Sequence, residues 1–252
     1  GAGSDVDDMA GGLEFVNDDG IGLADLKILN NGGNLAEADS GDLDDDELDD
    51  FFDAQDGARR SRVFYETPSL AGFSVMGSFA SSDDETGLQP AVGFNYGAEI
   101  NGYEIEAAGA WREEQEGEDD DTIFTGSASV MTPFGINFTI AGAQTDLESS
   151  EADDPNMIFG KLGYKKSFFS FGSTALSVDI YRGHSNDDFA SADGDLPEAT
   201  SYGVSVAQDI DALATELFVT ARQYDIDDVF VDGTEQDVDE LTAVMSGARI
   251  RF

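Results

Sequence analysis

Leu241-Thr242-Ala243-Val244-Met245-Ser246-Gly247-Ala248-Arg249-Ile250-Arg251-Phe252 alternates with a period of two throughout. Thr242, Val244, Ser246, Ala248 and Ile250 share one face, small or apolar. Ala243, Met245, Gly247, Arg249 and Arg251 share the other, which holds both charges. At ~3.3 Å per residue, such a strand tilted by ~45° rises ~25–30 Å, the height of a bilayer's hydrocarbon core. A soluble edge strand also alternates, so the remainder of the sequence has to decide between the two.

Working back from this stretch, the same alternation recurs in ten earlier segments, at about 61–67, 72–80, 91–99, 103–112, 122–131, 136–145, 157–166, 174–183, 201–209 and 214–224. Their apolar faces include Val63/Tyr65, Phe73/Val75/Phe79, Val92/Phe94/Tyr96, Ile136/Phe138/Ile140, Leu176/Val178/Ile180 and Leu217/Val219. The opposite faces carry Glu104/Glu106/Arg112, Asn137/Thr139, Lys161/Lys165, Ser177/Asp179 and Glu216/Thr220/Arg222, with many Gly and Ala. Connections alternate short and long. Short links such as Ile100–Gly102 and Thr132–Gly135 are poor in charge, whereas long ones such as Glu113–Asp121, His184–Thr200 and Asp225–Glu240 are acidic. An up-and-down barrel in an outer membrane has this asymmetry, with short turns on one rim and long loops on the other. Tyr65, Phe79, Tyr103, Trp111, Phe134, Tyr164, Phe168, Phe169 and Tyr181 lie near segment ends, where interfacial girdles belong. The expected fold is therefore all-β, an antiparallel up-and-down transmembrane barrel with about eleven strands present.

Bulk properties agree. A 40% hydrophobic content is too high for a disordered chain despite a net charge of -42. No apolar run approaches the ~20 residues of a membrane helix, so spanning falls to strands. The absence of Cys removes disulfides and thiolate chemistry. The acidic excess opposes nucleic-acid binding and favours cations as partners.

Residues 1 to 58 read differently. Short strands are expected at Gly12–Val16 and Leu23–Leu29. An acid-dense stretch, Asp39–Asp56, follows with Leu43, Leu48, Phe51 and Phe52 interspersed. The spacing 48, 51, 52 is that of one amphipathic helix turn, so the stretch is expected to pack back against a wall, with a solvated acidic run as the alternative. Arg59, Arg60 and Arg62 come directly after it; Arg60 and Arg62 share a parity opposite to Val63 and Tyr65, hence inward. The domain division expected is 1–58, partial strands and acidic segment, and 59–252, barrel strands.

Arg62-Val63-Phe64-Tyr65-Glu66-Thr67-Pro68-Ser69-Leu70-Ala71-Gly72-Phe73-Ser74-Val75 resembles the strand, turn and strand that follow the constriction loop in Gram-negative general porins, particularly those of alphaproteobacteria. Ser246 to Phe252 resembles the C-terminal assembly signal of bacterial outer-membrane barrels, carried by Gly247, Ile250 and Phe252. The resemblance implies a sixteen-stranded porin type, a homotrimer, contact with outer-membrane lipid and lipopolysaccharide, and recognition by the barrel-assembly machinery. It makes the strand at Ser61 the sixth, so the first five strands are expected upstream of this chain. It also implies a pore constriction built from Asp44, Asp45, Asp46, Glu47, Asp49, Asp50 and Asp53 on the inserted loop facing Arg59, Arg60 and Arg62. Lumen-wall positions would be Arg112, Lys161, Lys165 and Arg222.

The function expected is a passive, cation-preferring diffusion channel for small hydrophilic solutes and ions in the cell outer membrane. Alternatives are an acidic calcium-binding β-domain or adhesin, and an outer-membrane barrel enzyme. Against the enzyme, His184 is the only His and opens an acidic loop, with no marked nucleophile beside it. No cofactor or dedicated metal site is expected. The acidic loops lack ordered calcium-ligand spacing, so Ca²⁺ would bind loosely.

Overall fold

The computed structural model describes residues 2–3, 51–52, 60–81, 88–116, 119–148, 152–184, 189–231, 233–236, 238 and 240–250. Within them the chain forms β1 (Ala2–Gly3), β2 (Arg60–Glu66), β3 (Phe73–Ser81), β4 (Leu88–Ile100), β5 (Tyr103–Glu116), β6 (Asp119–Met131) and β7 (Ile136–Asp146). β8 (Asn156–Phe169), β9 (Gly172–His184), β10 (Glu198–Ile210), β11 (Thr215–Asp227), β12 (Val229–Val231), β13 (Thr234–Gln236) and β14 (Leu241–Ile250) follow. β1 to β11 and β14 make one antiparallel sheet in chain order, and β12 and β13 form a separate hairpin between β11 and β14. Among the described residues the sheet is open, with β1–β2 at one edge and β14 at the other.

All eleven expected strands are present, and the longest have 13 or 14 residues. At ~3.3 Å per residue and a ~45° tilt that is a height of ~30 Å, enough to cross the apolar core and extend past it. Burial is inverted relative to a soluble domain. Val63 is 75% exposed and Val75, Ile140, Ile158, Val178 and Val204 are exposed too, while Ser74, Ser129, Thr139, Ser177, Ser205 and Thr220 are buried. Apolar side chains that face outward at membrane height are stable only against lipid.

Two of the left-handed glycines in the short turns are required by close approach as well as by φ. Gly72 (φ +85) and Gly135 (φ +87) sit so close to the next hairpin that a Cβ would lie 2.0 Å from the Gly97 carbonyl oxygen and 1.9 Å from that of Lys165. Their own carbonyls accept hydrogen bonds from Gly97 N–H and Lys165 N–H, each at 2.8 Å. Gly135→Ala is expected to cost more than ~1 kcal/mol, from the left-handed φ plus displacement of β8, read as a lower urea midpoint in detergent micelles.

Three expectations need correction. Glu113–Asp121 is not a long loop: β5 runs to Glu116 and β6 begins at Asp119, with Glu114 opposite Asp121. Backbone pairing continues beyond the membrane because water screens the opposed carboxylates there. The Asp225–Glu240 connection is shorter than its length suggests, since β11 extends to Asp227 and β12–β13 fold within it. Tyr181 is not a girdle residue. Ile180 and Arg182 face outward, so Tyr181 faces inward and is fully buried. Tyr65, Phe79, Tyr103, Phe134, Phe168 and Phe169 are exposed as girdle residues should be. The strands expected at 12–16 and 23–29 lie outside the described residues.

Candidate functional site

The inner face of β7 to β11 is organised in horizontal rows, because antiparallel register brings one residue from each strand to the same height. The middle row reads Thr139, Lys161, Asp179, Gly203, Arg222. Next toward the external side come Ala141, Phe159, Tyr181, Ser201 and Tyr224; toward the short turns come Asn137, Gly163, Ser177, Ser205 and Thr220. The interior is thus aromatic above, charged in the middle and hydroxylic below.

The charged row is held by direct contacts. Arg222 Nη2 lies 2.7 Å from Asp179 Oδ1, both side chains being almost wholly buried, and Arg222 Nη1 donates to Ser201 Oγ at 3.1 Å. Hydroxyl pairs tie neighbouring strands, Ser129 with Thr139 and Ser205 with Thr220, each at 2.7 Å. Nearer the short turns, Arg249 of β14 reaches Glu216 of β11 at 3.5 Å. On the external side Arg112 is buried 3.3 Å from Glu114. A charge withdrawn from water needs a partner of this kind, so the wall is polar yet internally compensated.

The aromatic row receives two residues from the acid-dense segment. Phe51 and Phe52 are 2% and 3% exposed, although their neighbours in sequence are mostly acidic. Phe52 packs against Tyr181 (centroids 5.3 Å) and edge-on against Tyr224 (5.2 Å), the two tyrosines that flank Ser201 in register. The small Ser201 leaves room between them. Phe51 stacks on Phe189, from the β9–β10 connection, at 5.3 Å. Met157, Phe159, Ile226 and Val229 complete this apolar core, with Val231 and Val238 packed against it. Two external connections therefore share one core with Phe51 and Phe52 on the inner side of the sheet.

The other sequence-selected residues fall as follows. Arg60 opens β2, and Arg62 takes the inner side of β2, half-buried. Lys161 is buried on the inner face of β8, and Lys165 is half-buried there. Asp44, Asp45, Asp46, Glu47, Asp49, Asp50, Asp53, Arg59 and Phe252 lie outside the described residues. In β14, Gly247 faces inward beneath Phe218, and Ile250 is exposed on the opposite face. Arg182, at the outward external rim, pairs with Glu198 at 2.5 Å, and His184 Nε2 is 3.5 Å from the same carboxylate. Sequence reasoning missed the Asp179–Arg222 pair, the position of Gly203 between them in register, and the inward tyrosines.

No protein-family model and no curated protein matches the chain. Solved structures do. An anion-selective porin from Comamonas acidovorans matches with TM-score 0.53 and 16% identity, over 87% of this chain and 64% of that one. The outer-membrane expressed OmpT of Vibrio cholerae matches with TM-score 0.50 and 14% identity, over 75% of this chain and 63% of that one. The chain thus spans less than two thirds of the length of either protein. By fold it is an antiparallel outer-membrane β-barrel protein, similar to porins. The outward apolar belt sets it across a membrane, and its likeness to outer-membrane β-barrels makes that the outer membrane.

Proposed function

We propose that the protein is a non-enzymatic, porin-type channel for passive diffusion of small hydrophilic solutes, preferring cations, with the acid-dense segment as its constriction. The observation that carries this reading is the seating of Phe52 against Tyr181 and Tyr224 on the inner wall, with Phe51 beside it stacked on Phe189. Phe51 and Phe52, members by sequence of the carboxylate-rich stretch, lie in the same interior as Arg62, Lys161 and Arg222. Opposed charges across a water-filled passage produce a transverse field that orients polar solutes and disfavours apolar ones. With -42 overall, the mouth concentrates cations. Selectivity belongs to wall charges and not to fold, so likeness to an anion-selective porin does not oppose this sign. The family resemblance extends the reading to the alphaproteobacterial general porins, a homotrimer, lipopolysaccharide contact and assembly through the terminal signal.

The experiment neutralises Asp44, Asp45, Asp46, Asp49 and Asp50 to Asn in the full-length protein and records the zero-current potential across a planar bilayer under a salt gradient. The potential is expected to move toward the non-selective value. Wild-type selectivity should fall as salt rises and the Debye length shrinks below ~10 Å. Neutralising Glu113, Glu114 and Glu118 should shift it less, because Glu113 and Glu114 lie toward the external end of β5, where water screens them. Equal shifts from both sets, or none from the first, would place the acidic stretch outside the passage.

A further inference from the structure

We propose that Gly203 is a selectivity-determining position, holding Arg222 flat against the wall by leaving empty the space that the Asp179–Arg222 bridge crosses. The inference rests on the channel reading above. Asp179 belongs to β9 and Arg222 to β11, two interstrand spacings apart, or ~9.6 Å, with Gly203 of β10 between them in register. The bridge passes directly over that residue. A Cβ at position 203 would lie 2.4 and 2.7 Å from the two Asp179 carboxylate oxygens and 2.8 Å from Arg222 Nη2. With any side chain there, the carboxylate and the guanidinium must shift from the positions in which the 2.7 Å ion pair holds them.

The direction of the effect follows from the lengths of the partners. Asp179 has a short side chain and stays near β9, where Lys161 is its neighbour in register on the other side. Arg222 has a long, flexible stem. Displaced from Asp179, its guanidinium regains partners most readily by turning into water, toward the passage. Asp179 stays at the wall beside Lys161, its register neighbour on β8, so the swung guanidinium carries its positive charge into the path of permeating ions. Gly203 therefore keeps Arg222 out of the conduction path, and an alanine there converts a neutral patch into a cationic one.

The test is Gly203→Ala in the full-length protein, with assembly checked by heat-modifiable gel mobility and selectivity by zero-current potential. The cation-over-anion permeability ratio should fall about two- to fivefold, the range a unit charge a few ångströms from an ion produces in water. Single-channel conductance should fall with it. In an Arg222→Gln background, Gly203→Ala should shift nothing further, because the group it releases is gone. Asp179→Asn, which needs no extra room, should shift the ratio in the same direction, and by less in that background, where only the lost carboxylate acts and no guanidinium is released. A conducting wild type whose ratio is unmoved by Gly203→Ala, or moved equally with and without Arg222, overturns the proposal. If Gly203→Ala fails to assemble, a shift in Asp179→Asn that is equal with and without Arg222 overturns it instead. A wild type that does not conduct overturns the channel reading itself.

Discussion

Phe52→Ala in the full-length protein is expected to raise single-channel conductance, add open-channel noise and expose the acid-dense segment to external protease. Phe52 fills the gap between Tyr181 and Tyr224 and is 3% exposed. Truncating a buried Phe to Ala costs ~3–5 kcal/mol. That cost falls on the seating of the segment more than on the sheet, whose strands are held by their own backbone ladders. Even ~3 kcal/mol lowers the ratio of seated to released segment by about two decades. Phe51→Ala should act in the same direction and also loosen the β9–β10 connection through Phe189, and the double substitution should be less than additive because both rings belong to one cluster. Phe94→Ala is the control, since Phe94 stacks on Phe73 on the lipid side at 5.9 Å. Conductance and proteolysis unchanged by Phe52→Ala would mean that the rings do not hold the segment.

The parts of this architecture that were legible in the sequence are those written in a period of two. Eleven strands and the facing of residues such as Val178, Thr139 and Lys161 follow from alternation alone, since a strand in a membrane barrel must present opposite polarities to lipid and interior. Phe51 and Phe52 were legible as an apolar pair stranded among acids. Composition misled where it competed with pairing. Glu113 to Asp121 has the acidity of a loop, yet its backbone continues the β5–β6 ladder. Tyr181 was drawn to the girdle by its nearness to a strand end, whereas its parity sends it inward. Register was out of reach. That Asp179, Gly203 and Arg222 share one row depends on the lengths of two intervening connections and where each ladder starts, which no local pattern encodes. The same holds for the flanking of Ser201 by Tyr181 and Tyr224 that makes room for Phe52.

Val178→Arg should destabilise the membrane-inserted protein by ~2–4 kcal/mol, whereas Leu213→Arg should cost no more than ~1 kcal/mol. Both side chains are exposed in the isolated chain, at 53% and 65%, so surface area does not separate them; depth does. Val178 lies in a lipid-facing row that runs Val130, Phe138, Leu162, Val178, Val204, Ala221, Val244 across seven strands. That row occupies the same height as the interior charges one residue away, near the middle of the strands, so an arginine there must drag its charge through hydrocarbon or thin the bilayer around it. Leu213 sits in the short Asp211–Leu213 turn between β10 and β11, within reach of headgroups and water. Urea titration in lipid vesicles gives the two costs from the shift in midpoint at unchanged slope. Were the same sheet to face water, both substitutions would fall within ~0.5 kcal/mol of wild type, as surface replacements generally do. A large cost at Val178 beside a small one at Leu213 can come only from a solvent whose polarity changes along the strand, and that gradient is what distinguishes a bilayer from bulk water.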